Sequence, residues 1–136
     1  MKNILILIYM KWRTILIIIT ILIIISNLPI INKNILLVAD GQNPFRYSNS
    51  NASYTKEDTF GFIDLFINDW SINRFIEEAR PSKENQQIFR LYKINPLCFW
   101  RWSYYISISR KFSYKSWDEI EPKRVPYGAE NLWQEI

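Results

Sequence analysis

Histidine is absent from this chain, cysteine occurs once and glycine only three times. Without histidine, the commonest general base and the commonest metal ligand are both missing. The single thiol, Cys98, has no partner for an internal disulfide and no imidazole to activate it as a nucleophile. One cysteine also falls far short of a zinc ligand set. The three glycines form no phosphate-cradling loop. No metal and no cofactor is expected, and catalysis would have to rest on carboxylates alone.

An excess of charge on the folded part is missing as well. The formal net charge is +4, which invites a nucleic-acid reading. Lys2, Lys11, Arg13 and Lys33 precede residue 40 with no acid among them, whereas residues 40–136 hold 13 basic and 13 acidic side chains. A nucleic-acid binder carries its positive charge on the folded domain, so no nucleic-acid partner is expected.

Aromatic residues, by contrast, are abundant. They make up 16% of the chain and include six tryptophans. Large rings bury much area per residue, so about a hundred residues can still build a core. High hydrophobicity and many aromatics argue against disorder.

Residues 14–31 read TILIIITILIIISNLPII and contain no charge. Eighteen helical residues span roughly 27 Å, close to the hydrocarbon thickness of a bilayer. Lys11, Trp12 and Arg13 precede the run, as snorkelling cations and an aromatic anchor would at an interface. The expectation is a single-pass anchor in the lipid bilayer. The basic N-terminal flank, residues 1–13, places the N-terminus in the cytoplasm and the rest outside. A cleaved signal peptide cut near Ala39 is the alternative, with the mature chain a secreted or surface binding module.

Residues 32–54 are rich in Asn and Ser and read as a juxtamembrane linker. Asn51-Ala52-Ser53 matches a glycosylation acceptor. Residues 55–136 read as a small, mainly α domain. Thr55 with Glu57 and Asp58 resembles a helix start, and Phe60, Ile63, Phe66, Ile67 and Trp70 follow near helical spacing. Ser71 restarts a short helix that Arg80-Pro81 ends. Ser82 caps a further helix with Ile88, Phe89, Leu91 and Tyr92 on one side. Asn95-Pro96 opens another, although Trp100 to Ile108 also alternates like a strand, which makes a strand at about 99–109 the alternative. Ser116 to Glu119 matches a capping box, Val125 to Gly128 a tight turn, and Ala129 to Ile136 a closing helical turn.

Phe99, Trp100, Arg101, Trp102, Tyr104 and Tyr105 form the most unusual cluster. Trp, Tyr and Arg dominate binding hot spots, so these six are the candidate contacts for a protein partner, with core packing as the competing explanation. Residues 90–124 carry eight cations against three acids. Lys11, Trp12, Arg13, Arg110, Lys111 and Lys115 are therefore candidates for contact with anionic headgroups. The expected role is non-enzymatic: an interaction or accessory subunit that binds another protein at the membrane. A histidine-free enzyme acting on lipid or glycan through Asp118, Glu119 and Glu121 is the remaining alternative.

Overall fold

In the segment FRYSN, Phe45 and Tyr47 stand two residues apart, which places both rings on one face of an extended chain. That face builds the core. The computed structural model describes residues 2–40, 44–58, 65–126 and 133–134. In chain order the elements are α1 (Lys2–Ser26), α2 (Pro29–Ala39), β1 (Phe45–Asn49), β2 (Thr55–Asp58), α3 (Leu65–Ala79), β3 (Ile88–Arg90), α4 (Trp102–Ser107), β4 (Ser113–Tyr114) and α5 (Trp117–Ile120). A 3-10 turn, Phe99–Arg101, leads directly into α4.

The fold is mixed α/β, which corrects the mainly helical expectation. Four strands form one sheet in the order β2-β1-β3-β4. β1 pairs antiparallel with β2 and β3, and β3 pairs parallel with β4. The parallel pair needs a crossover, and residues 91–112 supply it by way of α4. Thr55 to Asp58 is thus a strand, not a helix start. Its pairing places Glu57 opposite Arg46, and their side chains form an ion pair at 2.9 Å. Ile88 and Phe89 likewise belong to a strand, preceded by a 3-10 turn at Lys83–Asn85. At 99–109 no strand forms and the chain is helical through Phe99–Arg101 and Trp102–Ser107.

Residues 45–54, expected in a linker, form β1 and its hairpin to β2. Asn49 closes the hairpin: its Oδ1 accepts the Tyr54 N–H at 3.1 Å, and its Nδ2 donates to Ser53 and to the Asn85 carbonyl. Asn51 accepts the Ser53 N–H in a local side-chain turn. Ala52 takes a left-handed φ of 53° at the tip, fully buried. α3 runs through Ser71 without restarting and ends where Arg80 takes φ 45° before Pro81.

Phe45, Tyr47, Tyr54, Phe75, Ile88, Tyr104, Tyr105 and Ile108 make the core. Phe45 stacks on Tyr104 with centroids 3.8 Å apart, and Tyr54 meets Phe75 at 5.0 Å. Trp133 packs against Phe75 at 5.9 Å, and the Thr55 N–H donates to its carbonyl. Phe60, Ile63 and the bulk of the closing segment 129–136 lie outside the described residues, as does the second half of the 125–128 turn.

The apolar segment 14–31 is not one helix. α1 ends at Ser26 and α2 begins at Pro29. Ser26 and Asn27 both donate their side chains to the Ile23 carbonyl, which competes with the helical ladder. Proline then removes the next backbone donor while suiting the first position of α2. From Thr14 to Ser26 the uncharged helix measures only about 20 Å. Among the described residues no helix is long and apolar enough to cross a membrane. The single-pass anchor, its cytoplasmic N-terminus and the all-helical description are therefore corrected. Residues 32–39, also expected in a linker, continue as α2.

Candidate functional site

The joint between the N-terminal helices and the sheet domain is built from two asparagines. Asn27 Nδ2 donates to the Phe99 carbonyl at 2.7 Å, and its Oδ1 accepts the Ser103 N–H at 2.8 Å. Asn32, fully buried, donates to the carbonyls of Ser26 and Trp100. The turn ahead of α4 is thereby tied to both α1 and α2. Asp40, one residue past the end of α2, adds an ionic contact. Its Oδ2 accepts the Trp100 indole N–H at 2.7 Å and the Arg101 Nε–H, with both charged side chains nearly buried. A carboxylate just beyond a helix C-terminus faces the negative end of the dipole, so these two donors hold it there. Burial acts against the Arg101 charge, but Asp40 outweighs it and raises the guanidinium pKa.

The six-residue aromatic cluster is therefore divided. Arg101, Tyr104 and Tyr105 point into the core, Trp100 is half-buried against it, and Phe99 and Trp102 stay exposed. The outward side of α4 carries Trp102 and Ile106, four residues apart on one helical face, and Arg110 follows in the 3-10 turn Ser109–Lys111. With Ile94, Pro96 and Tyr105 these residues line an apolar groove of about 240 Å³. Ile94, Leu97, Trp102 and Ile106 all remain exposed, Leu97 at 82% and Ile106 at 63%. Pro96 and Ile94 come from the loop after β3, and nothing in their own sequence marks them as part of a surface with α4. Ile106 carried a usable signal, since it stands four residues after Trp102.

A second exposed apolar surface is the shaft of α1. Trp12, Ile15 to Ile19, Ile21, Leu22, Ile24 and Ile25 are all between 41% and 61% exposed. Thr20 adds no polarity to it, because its hydroxyl donates to the Leu16 carbonyl at 2.8 Å. Lys11 and Arg13 flank this shaft, exposed. Of the other cations considered for a charged surface, Arg110 and Lys111 are exposed after α4, whereas Lys115 lies with its Nζ 4.8 Å above the Phe89 ring.

Inside the core runs a chain of hydroxyls. Tyr104 donates to Asp58 Oδ2 at 3.1 Å, Tyr47 meets Tyr104 at 2.7 Å, Tyr92 meets Tyr47 at 2.7 Å, and Ser109 meets Tyr92 at 2.7 Å. Each phenol has one proton to give. Since Tyr104 spends its own on Asp58, Tyr47 donates to Tyr104, Tyr92 to Tyr47 and Ser109 to Tyr92. Every proton points toward Asp58. Burial first pushes the Tyr47 and Tyr104 hydroxyls far above the usual phenol range, with the neighbouring phenols adding to it for Tyr47 and the Asp58 carboxylate for Tyr104, and burial pushes Tyr92 up to about 12.

The carboxylates weighed for catalysis occupy exposed positions around α5. Glu119 accepts hydrogen bonds from the Ser116 N–H and hydroxyl, which lowers its pKa and commits it to the helix cap. Cys98 is half-buried beside the core. Among the described residues no group of three or more Cys, Asp or Glu gathers as a metal site.

No family model matches this chain. No curated protein and no solved structure matches it either.

Proposed function

We propose that this chain is a non-enzymatic interaction protein that holds a partner protein through the shaft of α1. The observation that carries the reading is the exposure of apolar side chains on every side of that helix from Ile15 to Ile25. A helix apolar all round is stable when something covers it. Ten large apolar side chains between Trp12 and Ile25 are uncovered on one continuous shaft, unlike the scattered single hydrophobics usual on a monomer surface. A stable interface draws roughly 800 Å² from each partner, and a continuous apolar shaft is the kind of surface that supplies it. The Asn27 and Asn32 bonds fix the end of α1 to the sheet domain, so the domain sets where the bound partner sits.

The test is purification of the tagged full-length chain from its own cells, beside Ile18→Asp and Ile21→Asp. A stoichiometric partner on the wild type that both variants lose supports the reading. Circular dichroism of each variant checks that the sheet domain remains folded. A bare monomer refutes it, and so does a partner that both variants retain. Uptake of the wild type by phosphatidylcholine vesicles with no protein bound refutes it as well.

A further inference from the structure

The groove beside α4 is set apart by how its polar groups are spent. The Trp102 indole N–H donates to the Pro96 carbonyl at 2.8 Å, which fixes that ring as a wall and removes its donor. Tyr105 is buried in the core and lines the floor of the groove. Ile94, Pro96 and Ile106 complete an apolar trough. At its edge stands Arg110, exposed and without a hydrogen bond or ion pair to any described residue. A fixed apolar trough with one unspent guanidinium is a complementary surface for a ligand that is aliphatic along most of its contact and anionic at one end.

We propose that this groove receives an acidic, aliphatic peptide segment of a partner protein, with its aliphatic side chains in the trough and its carboxylate on Arg110. The assignment rests on the reading of the chain as an interaction protein, but uses a surface separate from the α1 shaft. Charge complementarity selects the sign of the ligand, since guanidinium–carboxylate hydrogen bonds are short, directional and stronger than neutral ones. The shape selects a peptide over a free amphiphile. Sites for small molecules enclose most of the ligand, whereas this trough is open on one side. A peptide closes that side with its own backbone. The volume accommodates a pair of aliphatic side chains, the spacing that one helical turn of a bound segment presents.

The experiment is selection of a phage-displayed random peptide library on the full-length chain. The soluble competitor in excess is the Ile106→Asp/Arg110→Glu variant. Both residues are exposed, and circular dichroism verifies that the competitor is folded. The expected outcome is enrichment of peptides with two aliphatic residues one turn apart beside Asp or Glu. Those peptides bind Arg110→Glu at least tenfold more weakly than wild type, and Arg110→Lys in between. No enrichment over the competitor, enrichment without an acidic position, or equal binding to Arg110→Glu overturns the proposal. Decanoate filling the groove while no peptide is enriched also overturns it, in favour of a free amphiphile. Failed selection with α1 still holding its partner removes the groove alone. Enriched peptides with no partner on α1 remove the α1 reading alone.

Discussion

Substituting Tyr47 with Phe deletes the middle of the hydroxyl chain and changes almost nothing else. The ring stays against Tyr92 and Phe112, at 5.7 Å and 5.1 Å. Two hydrogen bonds disappear, and two groups are left worse off: Tyr104 loses its donor, and one proton of the Tyr92–Ser109 pair, whichever way that bond then runs, loses the acceptor it had in the chain. Each of the two lost bonds is worth about 1 kcal/mol, and a stranded buried donor adds about 1–3 kcal/mol, so Tyr47→Phe is expected to cost about 3–5 kcal/mol. Ser109→Ala trims the chain at its start and strands only an acceptor, for about 1 kcal/mol. The direction of the protons thus predicts an order, with the central substitution costing more than the terminal one. Urea unfolding of the three proteins measures it. Equal costs, or a larger cost for Ser109→Ala, would refute the chain as drawn.

The same chain fixes the response to alkali. In the unfolded protein a tyrosine ionises near 10, whereas burial holds Tyr47, Tyr92 and Tyr104 protonated in the fold to higher pH. Above pH 10 the unfolded state binds fewer protons than the folded state, so stability falls as pH rises. For Tyr92, with its folded pKa near 12, the loss is about 1.4 kcal/mol at pH 11. Tyr47 and Tyr104 each lose about as much at that pH. Phenolate absorbance followed with near-UV circular dichroism is expected to show these tyrosines ionising together with unfolding, between pH 10 and 12. Reversible ionisation near pH 10 with the near-UV signal intact would sink the argument.

Three further outcomes follow from the joint and the helix ends. Asp40→Ala leaves the Arg101 guanidinium nearly buried without its counter-charge, a loss of about 3–5 kcal/mol by thermal or urea unfolding. The Asp40→Ala/Arg101→Met double variant removes the stranded charge and is expected to regain most of it. Asn27→Ala removes two contacts from α1 to the turn ahead of α4, so limited proteolysis is expected to cut near residues 26–29 at least several times faster than in wild type, while β1 to β4 stay protected. Arg80→Gly relieves a left-handed residue just past the end of α3 and is expected to stabilise the protein by about 1 kcal/mol, read as a rise in Tm; no change would show that Pro81 alone sets that turn.

The helices were easier to read than the sheet, and the reason lies in where the polar residues went. α3 shows a helical recurrence, and α1 is too apolar to be anything else. The strands carry neither strong alternation nor β-branched runs: FRYSN, TKED, IFR and SY are short, and Asn, Asp and Lys are depleted in strands generally. Ser48, Asn49 and Thr55 are fully buried because the ladder, the hairpin and the Asn85 carbonyl satisfy them. Such partners are separated by up to 36 residues and leave no local trace. Asp40, Asn27 and Asn32 were invisible for the same reason, since their partners lie some 60 to 76 positions away.

The aromatic cluster was legible as unusual but not as two surfaces. Its residues are neighbours in sequence, yet 3.6 residues per turn sends neighbours to different sides. Arg101, Tyr104, Tyr105 and Ile108 fall inward, and Trp102, Ile106 and Arg110 fall outward. That division follows from helical geometry once the segment is taken as a helix. What no periodicity could supply is the opposite wall, because Ile94 and Pro96 reach the groove through a loop placed by β3 and pinned by the Trp102 indole. The sheet thus determines the groove: without β3 beside β1 and β4, the outward face of α4 would be a bare helical stripe with Arg110 at its end and nothing facing it.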